Sequence, residues 1–130
     1  MKKGLVTALA IIFLALTFFG CKKGSGEGGT SSIKGKIYVM NYNGSGQLTS
    51  QYYGQEERVY IIYGDDPSYG DHVKTGPGGV FYFPYLRPGK YTIYAYSTTC
   101  TVAQKEAVTM EVEITDKNQA LVTDTLRIDK

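Results

Sequence analysis

The sequence predicts an all-β domain, a sandwich of seven short strands over residues 33–130. Three observations predict it. From Ile33 onward β-branched and aromatic residues dominate and alternate with polar ones at period two. Groups of Gly, Pro, Asn and Asp cut the chain at short intervals. No stretch of this region carries a helical period. Chains of this kind build sandwiches or barrels.

The elements follow in chain order. Lys2 and Lys3 give a basic start, and residues 5–19 are apolar except for Thr7 and Thr17. That run is shorter than the ~20 residues a spanning helix needs. With Gly20 before Cys21, it has the grammar of a signal peptide over residues 1–20; the other reading is an uncleaved anchor helix. Residues 22–32 are rich in Gly and Ser and hold no apolar side chain, so 21–32 is expected to be a flexible tether reaching roughly 17–20 Å. Strands are expected at 33–40, 57–63, 71–75, 80–84, 90–97, 106–115 and 120–128. Turn residues separate most of them: Asn43 and Gly44, Gly64 to Pro67, Gly76 to Gly79, Pro88 and Gly89, and Asp116 to Asn118.

Charge and cysteine content narrow the function. The chain has 14 Lys and Arg against 12 Asp and Glu. Lys2 and Lys3 leave with a cleaved signal, and the remainder is balanced. There is no basic excess to suggest nucleic acid and no polybasic patch of lipid-binding strength. Cys21 and Cys100 are the two cysteines. No Cys/His spacing for zinc exists.

Thr17-Phe18-Phe19-Gly20-Cys21 resembles the lipobox of bacterial lipoproteins, in the Phe-rich form common in Bacteroidetes. The strict form prefers Leu where Phe18 stands. The resemblance implies a diacylglyceryl thioether on Cys21, cleavage before it, and acylation of the new amino group. Two or three acyl chains anchor stably where one binds marginally. The implied address is the cell envelope, lipid-anchored, at an outer membrane facing the periplasm; Lys22 and Lys23, rather than acids, follow the cysteine and give surface display no support. Lipidation of Cys21 leaves Cys100 unpaired, the habit of a small buried hydrophobe more than of a nucleophile.

The most informative stretch is 75–95, TGPGGVFYFPYLRPGKYTIYA. Gly76, Gly78 and Gly79 admit a tight turn. Phe81 and Phe83 share one strand face, and Leu86 plugs its end. Pro88 and Gly89 fit the centre of a type II turn. Tyr91, Ile93 and Ala95 alternate inward on the next strand. The set Gly79, Phe81, Phe83, Leu86, Pro88, Gly89, Tyr91, Ile93 and Ala95 resembles the carboxypeptidase regulatory-like domain. Ile33, Gly35 and Ile37 match that family's opening strand. The resemblance implies a seven-stranded Greek-key sandwich of the transthyretin-like (prealbumin-like) group. Here the usual Asp before the glycine turn is missing, and the first loop, 41–56, is long.

Catalysis is not expected. Hydroxyisourate hydrolases of this fold group end in Tyr-Arg-Gly-Ser and use several His and Arg; this chain ends Leu126-Arg127-Ile128-Asp129-Lys130 and has one His. Pilin-type isopeptide domains join a first-strand Lys to a last-strand Asn. Lys34 and Lys36 offer the amine, but the last strand has no Asn and the strand of Tyr91 lacks the acid. Asp65, Asp66, Asp71 and His72 form the one dense polar group. Its oxygens suit a hard cation, but its spacing fits no EF-hand loop and its composition suits a solvated turn. No cofactor is expected.

A partner surface is the remaining expectation. Tyrosine is the outlier of the composition, with 12 residues and no Trp. If Val59, Ile61, Tyr91, Ile93 and Ala95 face the core, then Tyr60, Ile62, Tyr94 and Tyr96 form an outward stripe on neighbouring strands. Tyr52 and Tyr53 of the long first loop are expected to add to it. Tyr serves binding surfaces because a rigid ring gives area and a polar tip. It also simply favours strands. The expected role is a non-enzymatic binding or assembly module for another envelope protein, with a carbohydrate-binding accessory of a glycan-uptake system as the alternative.

Overall fold

The computed structural model describes residues 23–98 and 104–130. Among them, strands form two sheets. The first joins β1 (Glu27–Tyr42) to β2 (Leu48–Tyr53), β5 (Val80–Leu86) and β8 (Ala120–Asp129). The second runs β4 (Asp71–Lys74), β3 (Arg58–Tyr63), β6 (Gly89–Thr98), β7 (Lys105–Ile114). β1 is the spine of the first sheet. It pairs in parallel with β8 on one edge. On the other, β5 lies antiparallel along its first half and β2 along its second.

Alternation builds the core. Ile33, Ile37 and Val39 of β1, Val59 and Ile61 of β3, Phe81 and Phe83 of β5, and Tyr91, Ile93 and Ala95 of β6 are all buried between the sheets. Leu86, Ile114, Leu126 and Ile128 complete the set. Gly35 belongs to the same inward row. A Cβ there would collide with the Phe81 ring, so the missing side chain lets the aromatic lie against the β1 backbone. Polar groups in this interior are matched. Thr75 is buried, donates its hydroxyl to the Gly54 carbonyl (2.5 Å) and accepts the Glu57 amide (2.9 Å). Ser97 on β6 accepts the Asp129 amide (2.8 Å), a bond that links the two sheets.

The structure corrects the expected element set in three places. There are eight strands among the described residues, not seven, because 48–53 pairs with β1. Every residue of β2 is exposed. An edge strand with no buried face leaves no period-two pattern to read. Second, β1 begins at Glu27 inside the expected tether of 21–32. Its Gly/Ser composition pairs because Leu86 and the 115–119 turn offer it backbone and hydroxyl partners: Ser31 Oγ donates to the Asp116 carbonyl and accepts the Gln119 amide. Third, Gly89 has φ of 149°, more extended than the ~+80° of a type II turn. Gly is needed there for space, since a Cβ would run into the Ser25 side chain.

Candidate functional site

Register decides which outward residues meet. On the outer face of the second sheet, His72 of β4, Tyr60 of β3, Tyr94 of β6 and Thr109 of β7 stand in one cross-strand row. Tyr60 and Tyr94 stack, with ring centroids 4.9 Å apart and planes within 10°. Tyr96 sets its ring nearly perpendicular to both, at 5.6 Å from each. Tyr69, in the loop before β4, packs edge-on against Tyr60 at 4.9 Å. His72 lies 5.8 Å from Tyr60 and 5.9 Å from Tyr69. Five rings thus form one cluster. Ile62 is on the same face, half-buried beside it and opposite Thr92.

One contact in the cluster is stacked and the tyrosines around it meet edge-on. Parallel rings at 4.9 Å can only be offset-stacked, so Tyr60 and Tyr94 cover part of each other's face. Tyr60 is hemmed further by Tyr69 and His72. Tyr60 and Tyr94 are half-buried, whereas Tyr69 and Tyr96 remain exposed. Desolvation, with the neighbouring hydroxyls of Tyr96, Tyr60 and Tyr69, pushes the Tyr94 pKa up to about 12. Its hydroxyl therefore stays a neutral donor throughout the neutral range.

Charge flanks the cluster unequally. On one side a cleft of about 340 Å³ touches Tyr60 and Tyr96. Its charged lining is Arg58, Lys74, Lys105 and Lys130 against Glu56 and Glu57. Lys74 pairs with Glu56 (3.3 Å) and Lys130 with Glu57. Toward the other end a cleft of about 420 Å³ is lined by Asp65, Glu111 and Glu113 with Lys90. The face is basic at one end, acidic at the other and aromatic between.

The remaining candidates fall elsewhere. Tyr52 and Tyr53 lie on β2 of the first sheet and do not extend the stripe. Tyr53 packs edge-on against Tyr38, its register partner, at 5.2 Å. The Lys36 ammonium sits 5.0 Å over its ring. Their exclusion follows from the path of β2, which pairs along β1 of the first sheet. Asp65, Asp66, Asp71 and His72 do not converge, and no group of three His, Cys, Asp or Glu able to hold a metal occurs among the described residues. Asp71 instead accepts the backbone amide of His72 (2.7 Å), and the imidazole joins the aromatic cluster. Tyr69 was missed. The signal available was its position three residues before His72 in the β3–β4 connection. Cys21, the expected lipidation site, and Cys100 lie outside the described residues.

Comparison with known proteins adds little to this geometry. No family model matches the chain, and no curated protein matches it. Among solved structures, it is similar to a candidate carbohydrate-binding protein from Pseudomonas aeruginosa, at 15% identity and a TM-score of 0.47, over 82% of this chain and 92% of that one. The site is therefore read from its own residues.

Proposed function

We propose that this chain is a lipid-anchored envelope protein without catalytic activity, whose tyrosine face docks another envelope protein. The anchor reading rests on the lipobox-like residues 17–21. The family reading, a transthyretin-like sandwich of the carboxypeptidase regulatory-like kind, rests on Gly79, Phe81, Phe83, Leu86, Pro88, Gly89, Tyr91, Ile93 and Ala95, with β2 as an added edge strand.

One observation carries the docking reading: the stacked Tyr60–Tyr94 pair inside its ring cluster. A platform for sugars needs ring faces open to solvent. Tyr60 and Tyr94 cover part of each other's face. They offer edges, hydroxyls and pre-packed apolar area, which suits a protein surface. The opposed charges at the two ends would fix the partner's orientation.

The test is chemical cross-linking in native membranes, comparing the wild type with the double variant Tyr60→Ala/Tyr94→Ala. A discrete adduct that disappears in a variant of unchanged fold is the expected result. An adduct pattern identical in both refutes the docking role of this face. The cleft beside Tyr60 and Tyr96, with its hydrogen-bonding charged groups, favours the carbohydrate reading as a second possibility. Binding of residues 22–130 to a glycan array, abolished by Tyr96→Ala, would transfer the assignment to it.

A further inference from the structure

The segment between Cys21 and the sandwich is the expected tether, yet it is strapped to the domain almost from its start. Arg87 donates from Nε to the Gly24 carbonyl (2.8 Å) and from its guanidinium to the Glu27 carbonyl. Its backbone amide donates to the Gly26 carbonyl (2.9 Å). The buried Tyr91 hydroxyl accepts the Gly26 amide (2.9 Å) and donates to the Arg87 carbonyl (2.5 Å). Tyr63 donates to the Glu27 carboxylate (3.3 Å). Ser25 fills the space left by Gly89. Four consecutive residues are held by the β5–β6 turn.

This leaves three peptide units between Cys21 and Gly24, which span at most about 11 Å. An acyl anchor on Cys21 would therefore hold the β5–β6 end of the domain against the headgroups. A second observation marks the same end. Tyr85, two residues before Arg87, is 72% exposed, the most exposed aromatic among the described residues. It has φ of 59°, a conformation that a bulky side chain adopts only at a cost. An outlier of this kind points to a use. A tyrosine with an apolar body and a polar tip suits the membrane–water boundary. The tyrosine cluster stands higher: Tyr94 is five residues along β6 from Gly89, about 17 Å at strand rise.

We propose that residues 24–27 are a fixed foot rather than a tether, so that the domain stands on its β5–β6 end with Tyr85 at the headgroups and presents the tyrosine face sideways, to a protein in the same membrane. The proposal rests on the lipid anchor of the preceding section and deepens it by placing the partner beside the domain.

The experiment uses the full chain, processed in cells and reconstituted into phosphatidylethanolamine–phosphatidylglycerol vesicles. Mass spectrometry reads the acyl groups on Cys21. Hydrogen exchange reads the Gly26 and Arg87 amides, expected to exchange more than about 100-fold more slowly than in an unstructured peptide. Two single-Trp variants, Tyr85→Trp and Tyr94→Trp, are then exposed to headgroup spin-labelled lipid. Since the chain has no other Trp, each reports one position. Quenching of Tyr85→Trp but not of Tyr94→Trp is the expected result. Quenching of both means the domain lies on its face, and quenching of neither means it floats free; each overturns the proposal. Unprotected amides on an acylated protein overturn the foot alone. A protein with no acyl mass overturns the anchor and the orientation with it. Should Tyr94→Trp disturb the ring cluster, Thr109→Trp, at the register partner of Tyr94 on β7, gives the same reading.

Discussion

The two outer faces of the sandwich obey the same alternation and come out differently. On the second sheet, Tyr60, Tyr94, Tyr96, Tyr69 and His72 collect into one cluster. On the first, the outward positions of β1 include Lys34, Lys36 and Tyr38, and Tyr38 meets Tyr53 edge-on with the Lys36 ammonium above. Lys34 and Lys36 of that face are exposed. The lesson is that alternation tells which side chains point outward, whereas register tells which of them touch. One face became a pre-packed surface because two tyrosines separated by 34 positions stand opposite each other.

Phe81→Ala removes a ring that is buried beneath both faces and should cost about 3–5 kcal/mol. Urea unfolding would show it, with both aromatic groups lost in one transition. Tyr91→Phe is milder. It strips partners from the Gly26 amide and the Arg87 carbonyl, and should cost about 1–3 kcal/mol. Here the exchange of the Gly26 amide should rise while the Tyr60–Tyr94 stack persists in the near-ultraviolet dichroism.

A sharper contrast comes from double-mutant cycles on the two aromatic pairs. Tyr60/Tyr94 should couple by about 0.5–1.5 kcal/mol. Tyr38/Tyr53, edge-on and with Tyr53 exposed, belongs at or below the lower end of that range. Equal couplings would mean that the cluster is no more organised than an isolated pair.

The smallest effect is alkaline. Burial and neighbouring acidic groups, Glu27 foremost, push Tyr63 up to about 12, and Tyr94 also reaches about 12. An unfolded tyrosine ionises near pH 10. The unfolded state then loses protons that the folded state keeps. Stability should hold to about pH 10 and fall between 10 and 12. Tyr94→Phe should flatten part of that fall in pH-dependent denaturation; an unchanged slope would mean that Tyr94 ionises normally in the folded protein.

Much of this was legible beforehand. The rows Val59–Ile61, Phe81–Phe83 and Tyr91–Ile93–Ala95 are set by a local rule, two residues per repeat, and each strand announces its own inward face. Tyr60, Tyr94 and Tyr96 were legible as outward residues for the same reason. β2 was not, since a fully exposed strand shows no contrast between its faces. Nor was the strapped segment 24–27, whose Gly and Ser are what a linker also contains. Its partners, Arg87 and Tyr91, lie 60 or more residues away.

By itself, then, the chain determined its class of secondary structure and the side chains that fill the interior, because both depend on neighbours in sequence. The tertiary structure alone decided that five rings meet, that Tyr52 and Tyr53 stand apart from them, and that the N-terminal segment is bound to the β5–β6 turn. Those are contacts between distant segments. They exist only once strand order and register have brought backbone donors, carbonyls and rings within a few ångströms of one another.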